Sequence, residues 1–186
     1  MKSPSLLPEL VVIEPKVFND SRGWFFESYS LRNAKTFGIE AEFVQDNHSY
    51  SAKKGVIRGL HYQAPPFAQS KLVRCTRGSV LDVAVDIRHG SPNYAKWFGV
   101  VLSSENKKQL FIPKGFAHGF LTLEDDCEVQ YKVDSFYSYE YDRNIRYDDP
   151  DIGIEWGVTD VSLSEKDMRA PFLKERGKDF LWEACK

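Results

Sequence analysis

Two short stretches carry histidine in settings suited to proton transfer: Gly59-Leu60-His61-Tyr62-Gln63 and Pro113-Lys114-Gly115-Phe116-Ala117-His118-Gly119-Phe120. The chain has only four histidines in all. Imidazole titrates nearest to neutral pH, so it takes and returns protons without large tuning. Lys71, within Lys71-Leu72-Val73-Arg74, follows the first stretch. An ammonium held beside such a base stabilises negative charge developing on a nearby oxygen. Base and cation together suit removal of a proton next to a carbonyl. Taken singly, each histidine also has a plainer reading as a packed residue in a polar turn. His48 and His89 have turn-like neighbours in Asn47-His48-Ser49 and Arg88-His89-Gly90, and are expected to be ordinary surface residues.

Mostly strands must position these groups. Gly78 to Arg88 alternates, with Leu81, Val83, Val85 and Ile87 on one face and Asp82, Ala84 and Asp86 on the other. Lys71 to Thr76 reads as a strand that turns at Arg77-Gly78 into the next. Trp97 to Leu102 and Leu110 to Ile112 are further apolar runs, the second ending at a proline-glycine turn. Gly119 to Leu123 and Glu128 to Val133 flank the acidic turn Glu124-Asp125-Asp126. Short strands with frequent turn signals predict a barrel or sandwich. Helix is scarce: Ser30 to Phe37 is one candidate. Ser164-Glu165-Lys166-Asp167 begins another, with Ser164 as cap and Asp167 in the acidic capping-box place. Asp148-Asp149-Pro150-Asp151 marks a loop before the tail.

A chain of 186 residues can bury one full core and is short for two. One domain over residues 1–186 is therefore expected, with the tail from about Val158 packed on it. At 42% hydrophobic and 28% charged residues, the composition is that of a folded soluble domain rather than a disordered segment. Net charge is −2 with basic residues dispersed, so no nucleic-acid footprint is expected. No run approaches the ~20 apolar residues of a membrane span, and the N-terminus lacks the apolar core of a signal peptide. Cysteines 75, 127 and 185 are odd in number and widely spaced, which predicts reduced thiols and a cytoplasmic location.

The spacing around both histidines resembles the cupin superfamily, whose antiparallel strands close into a small jelly roll. Gly55 precedes His61 by the cupin interval, and Pro113, Gly115 and His118 match the second cupin motif. Gln63 stands where a second histidine belongs, and Lys71 occupies the glutamate-like place. A cation there disfavours a divalent metal, which wants several imidazoles and a carboxylate. A metal-free pocket is expected.

Longer blocks narrow the resemblance to the cupin-type sugar-nucleotide epimerases, the dTDP-4-dehydrorhamnose 3,5-epimerase family. The match runs from about Glu14 to Asp167. It rests on Asp20-Ser21-Arg22-Gly23-Trp24-Phe25, Phe43-Val44-Gln45-Asp46-Asn47, Gly55 to Gln63, Lys71 to Arg74, Asp82 to Arg88, Ile112 to Phe120, Tyr131-Lys132 and Ser164 to Asp167. The resemblance implies an all-β, cupin-type jelly-roll barrel with a few short helices, and an isomerase that needs no cofactor. It implies His61 as base with Asp167 as its carboxylate partner, Lys71 beside the sugar C4 oxygen, and Tyr131 as the phenol returning a proton. His118 is implied as a pocket residue that positions the sugar. Arg22 and Arg58 are implied around diphosphate and sugar, where guanidinium forks suit phosphate oxygens. Glu27, Gln45 and Asn47 match polar substrate-contacting positions. Tyr137 matches the base-stacking place, and Phe18 and Phe26 are further candidate aromatic walls. The implied partners are a nucleotide-diphosphate sugar and a second copy of the chain, whose Phe18 to Glu27 region would complete the neighbouring pocket.

Three places depart from the family pattern. Tyr139 stands where proline is common, Asp142-Arg143-Asn144 replaces a glutamate-arginine-glycine run, and Gly157 follows Trp156 in place of proline. They leave open inversion of one centre rather than two, and the nucleotide. Two other classes also stay open at this stage: a metal-dependent cupin oxygenase or isomerase using His61 and His118, and a sugar-nucleotide-binding cupin that transfers no proton.

Overall fold

Each of two apolar faces in this chain meets the other across a sandwich. The structure, a computed structural model, describes residues 2–3 and 7–185, with side chains described for 7–183. Thirteen strands are found there: β1 (Lys2–Ser3), β2 (Val11–Ile13), β3 (Phe18–Asp20), β4 (Gly23–Phe25), β5 (Gln45–Ser51), β6 (Ile57–Gln63), β7 (Lys71–Arg77), β8 (Ser79–Asp86), β9 (Trp97–Ser103), β10 (Gln109–Ile112), β11 (Phe116–Thr122), β12 (Cys127–Val133) and β13 (Asp142–Asn144). They form a six-stranded sheet in the order β1-β2-β10-β7-β12-β5, a five-stranded sheet in the order β13-β6-β11-β8-β9, and a separate β3-β4 hairpin. Every named pairing is antiparallel. This is the all-β, jelly-roll architecture that the turn spacing and the cupin resemblance led us to expect.

The main core lies between the sheets. Val73, Leu110, Ile112 and Val129 from one meet Val80, Ala84, Leu102, Phe116 and Phe120 from the other. The outer face of the five-stranded sheet is also covered. Val83, Val85, Ala117 and Leu121 pack there against Ile145, Ile152, Trp156, Leu173 and Phe180. The outer face of the six-stranded sheet is capped by helix α1 (Leu31–Thr36), with Ala34 and Ile39 against Val11, Leu72 and Phe111. Because both of its faces are covered, β8 has no solvated side: Asp82 and Asp86 are fully buried. The alternation read from the sequence is right, but its polar face looks into the sandwich.

The two expected helices form. Ser30 caps α1, and Ser164 caps the four-residue α2 (Glu165–Met168), its hydroxyl accepting from the Asp167 amide at 3.1 Å. The turn-like reading of Asn47-His48-Ser49 is overturned, since all three lie in β5. That strand is polar on both faces, so no hydrophobic alternation marks it. His48 points outward and pairs with Glu128 at 3.1 Å. His89 stacks 4.6 Å from Tyr94, while its backbone bonds to Phe180 and Trp182 of the tail. Cys75 and Cys127 are buried free thiols; the side chain of Cys185 lies outside the described residues.

Candidate active site

Strand pairing brings the two histidines together. His61 on β6 and His118 on β11 are directly opposite each other. The approach of these strands depends on two glycines. A Cβ on Gly59 would lie 2.5 Å from the Gly119 Cα, and Gly59 has φ +136°, a conformation that side chains rarely adopt. The six-stranded sheet supplies the groups facing them. Lys71 is the first residue of β7, in step with Val73 and Cys75 of the inner core. Tyr131 on β12 stands opposite Val73 on one side and Asn47 on the other.

These side chains line one cavity of about 440 Å³, together with Arg58, Phe120, Ser49, Ser164 and Asp167. Asp167 arrives through the tail: Ile57 donates to the Ser162 carbonyl and Ser162 to the Gly55 carbonyl, so the segment runs alongside the start of β6. The Asp167 carboxylate then meets His61 Nε2 at 2.6 Å. Burial raises the Asp167 pKa. The His61 ring, the Ser164 hydroxyl and the Gly59 amide outweigh burial, leaving it below the ordinary carboxylate value. With Nε2–H donated to Asp167, the Nδ1 lone pair is left to take a proton. Ser164 caps the helix through the Asp167 amide, but the Asp167 carboxylate, which a capping box would turn back to the Ser164 backbone, goes to His61 instead.

Lys71 is buried, with its ammonium 3.4 Å from the His61 carbonyl and 5.7 Å from the centre of the Tyr131 ring. Burial lowers its pKa from 10.5 to about 8, partly offset by the charges of Asp82 and Asp142. Tyr131 is pushed above the usual phenol value by burial, with Arg58 partly opposing the shift. His118 is buried and bonded to Asp82 at 2.9 Å. Burial lowers its pKa despite that carboxylate, favouring the neutral ring.

The remaining candidates divide into two groups. Arg58 lies at the cavity rim, held by Ser51 Oγ at 3.1 Å and the Tyr50 carbonyl at 2.9 Å. Gln45 donates to Asn47 Oδ1 at 2.9 Å and accepts from the Tyr137 amide at 3.2 Å, and the Tyr137 hydroxyl reaches Asp142 at 3.3 Å. Of these four only Arg58 lines the cavity; Gln45, Asn47 and Tyr137 form a cluster beside it, reached through Asn47, the β5 partner of Tyr131. Arg22, Phe18, Phe26 and Glu27 do not line that cavity within one chain. Arg22 is exposed and tied to Asp20, Phe26 lies 5.5 Å from Trp24, and Glu27 accepts from Asn33 beside a second cavity that Phe18 also lines. Gln63 does not line the site: its side chain bonds to the Phe67 and Phe136 carbonyls and the Ser138 amide, bracing the loop that carries Tyr137.

Asp82 escaped the sequence reading as a functional residue. Its signal was a carboxylate within a strongly apolar strand. Among the described residues, no cluster of three histidine, cysteine or acidic side chains could hold a metal ion.

The arrangement can therefore take a proton at His61, hold a cation near the resulting anion, and offer a phenol from the opposing sheet. Comparisons with known proteins agree with that chemistry. The family model described as dTDP-4-dehydrorhamnose 3,5-epimerase matches residues 4–175. A curated dTDP-4-dehydrorhamnose 3,5-epimerase of Shigella flexneri is 55% identical over 166 residues, 87% of this chain and 90% of that protein. The crystal structure of dTDP-6-deoxy-D-glucose-3,5-epimerase from Legionella pneumophila, in complex with dTDP-4-keto-L-rhamnose, superposes with a TM-score of 0.92 at 46% identity, covering 97% of this chain and 96% of that one. A 3′-monoepimerase from Streptomyces bikiniensis, in complex with dTDP-quinovose, gives 0.85 at 32% identity, covering 92% and 87%. With a model match over most of the chain and relatives above half identical, the chain belongs to the dTDP-4-dehydrorhamnose 3,5-epimerase family.

Proposed function

We propose that this enzyme inverts C3 and C5 of dTDP-4-dehydro-6-deoxy-D-glucose, giving dTDP-4-dehydro-L-rhamnose for dTDP-L-rhamnose synthesis. The observation that carries the reading is the placement of a carboxylate-bound imidazole and a half-buried phenol on opposing sheets, with a buried ammonium near both. The C4 ketone acidifies the hydrogens on C3 and C5, because the carbanion charge moves onto the C4 oxygen. His61 takes each proton, and Asp167 stabilises the imidazolium that forms. Lys71 stabilises the enolate oxygen, and its burial strengthens that attraction. Tyr131 delivers a proton to the opposite face, inverting the centre. Solvent restores both groups. Protons alone are exchanged, so the reaction requires no redox cofactor, and Lys71 supplies the positive charge at the enolate oxygen.

His118 orients the sugar from its Asp82-bound position. Arg58 holds the diphosphate side, with Gln45, Asn47 and Tyr137 toward the nucleotide. Arg22, Glu27, Phe18 and Phe26 act from a second copy, making the working unit a homodimer. A cytoplasmic location fits the buried free thiols of Cys75 and Cys127.

Time-resolved NMR with dTDP-4-keto-6-deoxy-D-glucose in deuterated water tests this reading. The expected result is deuterium at both carbons with conversion to the L-lyxo sugar, and near-complete loss of wash-in for His61→Ala. Inversion at C3 alone would establish a monoepimerase, the activity named for the S. bikiniensis relative. Binding without any exchange would leave only a sugar-nucleotide binder.

A further inference from the structure

The departure at Asp142-Arg143-Asn144 lies beside the catalytic pair. Asn144 is the β13 residue directly opposite His61 on β6. Its side-chain amide donates to the Lys166 carbonyl at 3.0 Å. That carbonyl belongs to the peptide unit immediately before Asp167, and the amide of the same unit donates to Ser164 Oγ at 3.1 Å. The peptide plane that launches the Asp167 side chain is thus held at both ends. Arg176, from the tail, fixes Asn144 in turn: Nε donates to the Asn144 carbonyl at 2.7 Å and Nη2 to Asn144 Oδ1 at 2.5 Å. With Oδ1 taken by the guanidinium, Nδ2 is the end presented to Lys166. Asp142 and Lys166 add an ion pair between the same two segments.

A four-residue helix has too few internal bonds to hold its own orientation. The direction of the Asp167 carboxylate must then come from such outside ties. We propose that Asn144 and Arg176 are positioning residues for catalysis: a brace from the tail, through β13, that keeps Asp167 aligned on His61. The inference rests on the proposed role of His61 as base. Loss of the brace leaves the substrate contacts in place and misaligns the pair, so it lowers turnover rather than binding.

The test uses Asn144→Asp, which keeps the shape but removes the donor to Lys166, and Arg176→Ala, which lies outside the strand pairing. Each is measured in the full-length protein, alone and combined with Asp167→Asn. About a tenfold fall in kcat is expected for each, with KM within twofold. In the Asp167→Asn background, further loss is expected to stay below twofold, because a misaligned carboxylate partner has already been removed. A merely structural brace would lower activity by the same factor in both backgrounds, and that result, or unchanged kcat in either folded variant, overturns the proposal. An independent readout is the low-field imidazole N–H resonance of His61 bonded to Asp167. It should weaken or vanish in both variants, and its persistence at wild-type strength would also overturn the brace. No wash-in by the wild-type enzyme would sink the epimerase reading instead, leaving the resonance to decide the brace.

Discussion

At the scale of single residues, Lys71 joins stability and function. Its burial lowers the pKa from 10.5 to about 8, so between those values the unfolded chain holds more protons than the folded one. Folding stability contributed by this residue therefore rises with pH from about 8 to 10.5, and below pH 8 the folded state carries a desolvated ammonium at a cost on the order of 3 kcal/mol. Lys71→Met should abolish epimerisation and raise the melting temperature at pH 7, by up to several degrees, as calorimetry can show. The Asp82 charge left behind trims that gain. The same group sets an alkaline limit on activity. In the proposed mechanism the ammonium faces the enolate oxygen, and Tyr131, raised by burial, keeps its proton through this range. A profile of kcat/KM should fall with a midpoint near pH 8. A flat profile to pH 10 would remove Lys71 from the mechanism.

Among the elements, β6 bears the tightest constraint. Any side chain at Gly59 meets the backbone of Gly119 and must adopt a strained φ. Gly59→Ala should cost about 2–5 kcal/mol in denaturant unfolding. It should also depress turnover, because it displaces the strand that carries His61. The outer cover of the five-stranded sheet is the second constraint. Phe180 is buried against a cluster that includes Val85 and Trp156. Phe180→Ala should lower stability by about 3–5 kcal/mol. We read this cover as one folding unit with the sandwich, so a chain ending near residue 158 should expose apolar surface and aggregate. A soluble, cooperatively folding truncation would refute that reading.

For the whole molecule, the β3-β4 hairpin poses the main question. Phe18, Trp24 and Phe25 are 53%, 58% and 70% exposed within one chain. Phe18 and Phe25 are cross-strand partners on one face of the hairpin and Trp24 projects from the other, so both faces offer apolar surface suited to a partner. In the proposed homodimer this hairpin reaches the other subunit's cavity, carrying Arg22 and Glu27 with it. Trp24→Ser with Phe25→Ser should shift sedimentation toward a monomer and lower kcat/KM at least tenfold. A fully active monomer would separate assembly from catalysis.

The sequence by itself determined the architecture and picked out the candidate proton-transfer residues. Alternating apolar runs with turn signals can bury their faces only as packed sheets, which is why β7 to β12 were legible. The spacing of His61, Lys71, Tyr131 and Asp167 within family-like blocks made the proposed proton-transfer group legible as well. Tertiary structure alone decided what lies around that group. β5 was hidden because an edge strand that is polar on both faces lacks hydrophobic alternation. Asp82 was hidden because a strand covered on both faces turns its polar side inward, and no local pattern says which side that is. Asn144 and Arg176 are 32 residues apart, and their role at Asp167 arises only when the tail folds back along β6. Local propensity reads neighbours along the chain, whereas these contacts join segments whose separation in sequence carries no record of their meeting.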